Sequence, residues 1–301
     1  MSPETQAPGW EWYFVAMYFF VAGTSAGAYF IGSLVELIGS ERQREISRVA
    51  YYIAFPLILL TPPLLILDLG RPERFWHLFF YVNGGIPYIN LQSPLSVGSW
   101  ALVVFGAMSF LSFLDNLIQD GRLKFAPFAN LYNRRPRKLY ALIGSLAGFF
   151  IAGYTGVLLN TTTRPLWAAT DPLLGFLFIV SGASTGAAAI ALVMAARRVV
   201  SPEALERLES FDRFAMIVEL VLIAALVVIA GQFAAPLFTG IYALLFWGGT
   251  VLLGILIPFG LSWYAARGDL AGRSTVVVLA AVLILLGGAL LRISLVTAGQ
   301  V

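Results

Sequence analysis

The protein has 301 residues, of which 59% are apolar and 12% charged, and its formal net charge is +3. A soluble domain carries about a quarter of its residues as charges, so the composition points to lipid as the solvent and to no nucleic-acid partner. With no cysteine and a single histidine, His77, it cannot hold an iron-sulfur cluster, a disulfide or a bis-histidine haem. No metal site is expected either, and redox chemistry would need a diffusible or partner-held cofactor.

In chain order, residues 1–12 carry Glu4 and Glu11 but neither Lys nor Arg. They lack the basic region of a cleavable signal peptide and read as an extracytoplasmic tail before a retained helix. Eight apolar runs follow, at Tyr13–Ile38, Val49–Leu67, Leu95–Leu117, Leu139–Leu159, Leu173–Ala196, Phe214–Phe233, Ile241–Ala266 and Thr275–Val296. Each is close to the ~20 residues that cross an apolar layer, and the short alternating strands of a barrel are missing. The first and fifth runs share Val21/Val180, Gly23/Gly182, Ser25/Ser184, Gly27/Gly186 and Ala28/Ala187 at an offset of 159 residues. This repeat predicts two four-helix bundles, 13–159 and 160–301, related by an axis along the membrane normal. Glycines four apart on one helix face favour close helix packing over ligand contact.

Alternate loops hold 15 of the 19 basic residues: Arg42, Arg44 and Arg48; Arg122, Lys124, Arg134, Arg135, Arg137 and Lys138; Arg197, Arg198, Arg207 and Arg213; Arg267 and Arg273. The positive-inside rule makes that side cytoplasmic and puts both termini outside. The expected fold is therefore an all-α integral membrane protein of eight transmembrane helices, N-out and C-out. Arg71, Arg74, Arg164 and Arg292 break the charge bias at outer helix ends, which marks them as functional candidates.

The second run ends in DLGRPERFWH, residues 68–77. Asp68 and Arg71 are three apart and would share a helix face if the last turn continued; the pair reads either as a structural ion pair or as a protonatable site. Pro72 and the glycines at 84 and 85 bound an expected interfacial helix within 72–92, rich in aromatic residues, that could roof an outer site. His77 fits the headgroup interface when taken singly, and a second protonatable group when taken with Asp68. Ser93 and Ser96 suit N-capping of the third run. Tyr154, Thr155, Asn160, Thr161 and Arg164 supply polar groups where the fourth run meets the outer interface.

The segments 68–77, SPLSVGSW at 93–100, GYTGVLL at 153–159 and RPLW at 164–167, with the glycine-rich first helix, resemble the NrfD/PsrC family. These are membrane subunits of polysulfide reductase-like molybdopterin oxidoreductase complexes, and the resemblance covers nearly the whole chain. It implies a menaquinone or ubiquinone site near the outer face of a bacterial or archaeal cytoplasmic membrane. Electrons would pass to or from a four-cluster iron-sulfur ferredoxin-like subunit that serves a molybdopterin (or multihaem) catalytic subunit, with no haem, cluster or metal on this chain. Asp68, Arg71 and His77 then become the catalytic candidates, and Tyr18, Ser96, Tyr154, Thr155 and Arg164 the quinone-binding ones. The first helix departs from the family's pattern: polysulfide reductase uses an Asn and a His there, whereas Tyr13–Ile38 offers only Tyr18 or Thr24 as substitutes.

Glu36, Asp115 and Glu219 lie in the inner parts of the first, third and sixth runs. They read as a cytoplasmic proton path leading towards Asp68, or, for Glu36 and Asp115, as partners of loop arginines. Two other readings compete: a secondary transporter, because parallel repeats and intramembrane charges occur there too, and a redox-inert membrane anchor for an extracytoplasmic enzyme.

Overall fold

The computed structural model describes residues 12–40, 43–69, 71–83, 86–123, 134–197, 202–267 and 273–301. The tail 1–11, the loop cations Arg42, Lys124 and Arg198, and the turn glycines at 84 and 85 lie outside the described residues. Among those residues, eight helical spans are long and apolar enough to cross a membrane: Tyr13–Ile38, Arg44–Leu67, Pro94–Gln119, Pro136–Asn160, Leu173–Arg197, Glu203–Phe238, Gly240–Ala265 and Ser274–Ala298. The protein is an all-α integral membrane protein. Outward-facing side chains on the sixth span, such as Val221 at 62% and Val228 at 78% exposure, are apolar because their solvent is lipid.

Helices α1 (Trp12–Ile38) and α7 (Leu173–Arg197) form the centre. Both are apolar on every face, as suits helices enclosed by others. The repeated segments meet each other: a Cβ on Gly27 would collide with the Gly182 carbonyl, and one on Gly186 with the backbone of Gly27 and Ala28. Missing side chains let the two backbones touch, so helix packing is what these glycines do. Thr24 Oγ1 donates to Thr185 Oγ1 across the same seam at 3.1 Å. Gly186→Val should force the helices apart and cost at least the ~1–3 kcal/mol typical of overpacking, seen as a lower melting temperature of the purified protein in detergent.

The second span is two helices, α2 (Arg44–Leu59) and α3 (Thr61–Leu67), interrupted at Leu60. Pro56, Pro62 and Pro63 each lack an N–H and crowd the preceding turn, which explains the interruption; the sequence reading expects an unbroken run here. Beyond α3, the helix expected within 72–92 is replaced by two shorter elements. A 3-10 helix runs over Pro72–Leu78, begun by proline as expected. It is followed by an antiparallel hairpin of β1 (Tyr81–Asn83) and β2 (Ile86–Tyr88), with Tyr81 opposite Tyr88. β-branched and aromatic residues flanking two glycines favour strand and turn over helix.

Next come α4 (Pro94–Gln119), α5 (Arg134–Asn160) and the short α6 (Pro165–Ala168). Helix α8 (Pro202–Ala230) continues into a 3-10 segment, Gly231–Phe238. It begins 12 residues before the expected Phe214, so Glu209 and Asp212 lie in a buried helix instead of a loop. The seventh span passes from α9 (Gly240–Ala243) through a π-helical stretch, Leu244–Leu256, into α10 (Ile257–Arg267). Gly254 there meets Gly287 of α11 (Arg273–Ala298) backbone to backbone.

Candidate functional site

At the end of the molecule away from the basic loops, α1, α3, the 3-10 helix, α4 and α5 enclose a cavity of about 220 Å³. Its polar side chains are Tyr18 of α1 and Asp68 at the end of α3; the rest of the lining is apolar, including Phe14, Phe19, Leu65 and Leu78. Tyr18 is 3% exposed, while Thr24 is committed to Thr185. Of the two first-helix candidates, Tyr18 is therefore the one that reaches the cavity. A second apolar groove of about 270 Å³ adjoins it, shares Leu65 and Leu78, and runs between α2–α3 and α4 past Thr61 and Ser99. Together they fall in the usual size range of small-molecule sites, ~300–1,000 Å³. The groove has no motif and is invisible in the sequence.

The three motifs converge around this cavity by packing. Trp100 donates from Nε1 to the Phe79 carbonyl at 3.1 Å and meets the rings of Phe79 and Phe80 edge-on, which pins the connector to α4. Gly98 leaves the space that the Tyr154 ring fills. Tyr154 donates to the Pro94 carbonyl at 2.7 Å, fixing the start of α4 against α5. Tyr154 lines a separate, more open groove of about 440 Å³ with Pro94, Phe150 and Thr161.

Other expected residues sit elsewhere. Asp68 caps α3, but the turn does not continue: Arg71 is extended at φ −139°, ψ 82°, so the three-residue helical register expected for Asp68 and Arg71 does not form. Arg71 and Arg74 are exposed. His77 is exposed and stacks on Trp76 at 3.6 Å, outside the cavity lining. Ser93 takes the N-cap position of α4 without a capping bond from its hydroxyl. Ser96 is buried but does not line the cavity. Thr155 spends its hydroxyl on the Ala152 carbonyl of its own helix at 2.8 Å. Arg164 donates to the Gln300 carbonyl at 3.2 Å and Trp167 to the Leu295 carbonyl at 2.8 Å, so the RPLW segment ties α6 to the end of α11. Arg292, expected at an interface, is fully buried inside the bundle.

At the basic end, Arg137 bridges Glu36 and Asp115, with Nη2 2.9 Å from Glu36 Oε2 and Nη1 3.1 Å from Asp115 Oδ2. Ser47 adds a bond to Glu36 and Gln119 one to Asp115. Asp120 likewise takes the Tyr52 hydroxyl and pairs with Arg48. The pairing alternative for Glu36 and Asp115 is the observed one. Arg137→Ala would leave two buried carboxylates without their cation, at a cost of about 3–5 kcal/mol. A thermal melt of the purified protein should show it, and Arg137→Lys should recover part of the loss.

The fold and the cavity define a polytopic membrane protein that holds one carboxylate and one phenol in an apolar pocket near one end of its helices. The profile described as "Polysulphide reductase, NrfD" matches residues 3–301, and the chain belongs to that family. It is similar to a membrane-family relative named as part of the polysulfide reductase of Wolinella succinogenes, 29% identical over 310 residues, 97% of this chain and 94% of the relative. It is also similar to the NrfD homolog of Haemophilus influenzae, 27% identical over 97% of this chain and 94% of that protein. A shorter match of 102 residues, 34% of this chain and 21% of the relative, is 28% identical to a component of the selenate reductase of Mesobacillus selenatarsenatis.

Proposed function

We propose that the protein is the quinone-reactive subunit of a respiratory oxidoreductase in a bacterial or archaeal cytoplasmic membrane, with both termini and the Asp68 end extracytoplasmic. On this reading residues 13–159 carry the site and 160–301 form the second half. The observation that carries the proposal is the apolar cavity with Tyr18 and Asp68 as its polar side chains. A quinone is a flat apolar ring with two carbonyl oxygens, and it takes up two protons with two electrons. Asp68 exchanges those protons as general acid and base, and the Tyr18 hydroxyl donates a hydrogen bond to a ring carbonyl. The isoprenoid tail of menaquinone or ubiquinone follows the adjoining groove into lipid.

Electrons pass between the ring and a four-cluster iron-sulfur ferredoxin-like subunit docked over the exposed Arg71, Arg74 and Trp76; that subunit serves a molybdopterin or multihaem catalytic subunit. Relatives named as parts of polysulfide and selenate reductases support membership of such a complex. The test is quinone reduction by the intact complex, with reduced benzyl viologen as donor and menadione as acceptor. Tyr18→Phe and Asp68→Asn should both slow it. Wild-type rates in both variants would point to a redox-inert anchor.

A further inference from the structure

Helices α4, α5 and α7 leave an open groove of about 440 Å³ that the quinone reading does not use. Its base is built on glycine. A Cβ on Gly156 would strike the Leu174 carbonyl, and one on Gly175 would come within 3.3 Å of the Gly153 carbonyl oxygen, so α5 and α7 run close together here. Phe150 of α5 and Phe176 of α7 line the groove from the two helices and stay 44% and 55% exposed. Phe150 stacks on Tyr154 with ring centroids 5.8 Å apart, and Tyr154 is fixed in turn by its bond to the Pro94 carbonyl. The aromatic wall is therefore preformed.

The length of the groove selects its occupant. Along α5 the lining runs from Thr161, just past the helix end, to Phe149, a rise of about 18 Å at 1.5 Å per residue. That is little more than half of a ~30 Å hydrocarbon core. On α7 it runs from Pro172 only to Ile179. The groove thus serves one leaflet. A partner's transmembrane helix crosses both leaflets with ~20 residues and would leave much of its length outside, whereas a lipid chain ends near the midplane, as the groove does. A quinone ring is also poorly served, because the two hydroxyls in the lining are already spent: Tyr154 on Pro94 and Thr161 on the Leu158 carbonyl at 2.8 Å. An acyl chain needs no such donor.

Polar groups gather at the end away from the basic loops. Gln92 and Thr161 line the groove there, and the exposed Asp171 adjoins the lining residue Pro172. Asn160 donates from Nδ2 to Asp171 Oδ1 at 3.0 Å, which ties this carboxylate to the end of α5. The Arg164 guanidinium turns to the Gln300 carbonyl. Asp171 therefore sets a negative rim, which attracts an ammonium and repels an anionic headgroup.

We propose that the α4–α5–α7 groove binds one phospholipid with a primary-amine headgroup, drawn from the leaflet on the Asp68 side. One acyl chain lies along Phe150, Gly153 and Phe176, the ammonium donates to the Asp171 carboxylate, and the Gln92 amide donates to the phosphate. The site is separate from the Tyr18–Asp68 cavity and does not depend on the quinone reading.

The test places the intact complex in phosphatidylcholine nanodiscs with a trace of photoreactive lipid, either phosphatidylethanolamine or phosphatidylglycerol, each carrying a diazirine on the same acyl chain. After irradiation, adducts are mapped by peptide mass spectrometry. In wild type the ethanolamine probe should label residues 149–161 and 172–179 roughly fivefold more than the glycerol probe, the upper range for a partly exposed ion pair. On the exposed face of α8, at Val221 and Val228, the two probes should label equally. Asp171→Asn should bring the groove ratio to about one. Val157→Trp, which fills the groove from a position 39% exposed, should remove groove labelling by both probes and leave α8 labelling unchanged. Should Val157→Trp fail to assemble, Asp171→Asn decides alone. A wild-type ratio near one would mean ordinary surrounding lipid and overturn the site. Labelling displaced by menaquinone but not by unlabelled phosphatidylethanolamine would assign the groove to a quinone, and labelling seen only after the partner subunits are stripped would assign it to a partner chain; either result overturns the proposal.

Discussion

In the intact complex, Asp68→Asn should lower viologen-to-menadione turnover by about 10²–10⁴-fold, the range that general acid–base groups contribute. Asparagine keeps the size and a hydrogen-bonding end, so cavity shape and the C-cap of α3 are retained and the loss reports proton exchange. Tyr18→Phe should lose much less, because it removes one hydrogen bond, worth about 0.5–1.5 kcal/mol or up to roughly tenfold. The ranking is the diagnostic result. If Tyr18→Phe were the more damaging of the two, the phenol and not the carboxylate would be the proton-exchanging group. A further control is Arg164→Ala: its guanidinium serves the Gln300 carbonyl and lies outside the cavity lining, so turnover should hold while stability falls.

The eight crossings were legible because hydropathy and alternating charge read the solvent directly, and lipid imposes those patterns on every span. The α1–α7 seam was legible for a similar reason: glycines at four-residue spacing have few uses other than close approach, and Gly27 and Gly186 show that use. Boundaries were harder where charge and burial part company. Asp212 sits in an acidic, arginine-rich stretch that looks like a loop, yet α8 carries it into the bundle to meet Ser184. Around the candidate cavity, the motifs mix two kinds of residue. Asp68 and Tyr18 face the cavity, whereas Gly98, Trp100, Tyr154 and Arg164 hold elements together. A motif records which residues must be present, not whether a side chain faces a ligand or a neighbouring helix. Pairing across helices is equally silent in one sequence, and nothing near Arg137 announces that it reaches both Glu36 and Asp115.

Arg292→Met should be among the most destabilising single changes in the protein. The guanidinium is completely enclosed and ties α11 to α7 through the Ser181 hydroxyl and the Phe178 carbonyl, and to its own helix through Gly288. Methionine fills much of the space but removes the cation that faces Glu219. Deleting one of two buried opposite charges that act on each other costs up to about 3–5 kcal/mol, because the other charge stays buried without compensation. Glu219 can escape that penalty only by taking up a proton. The double variant Arg292→Met/Glu219→Gln should therefore recover at least half of the lost stability, since a neutral amide needs no counter-ion. Full additivity of the two single effects in thermal melts would instead mean that the residues do not interact. Recovery is expected because Ser181 accepts from Arg292 and both act on the Glu219 carboxylate.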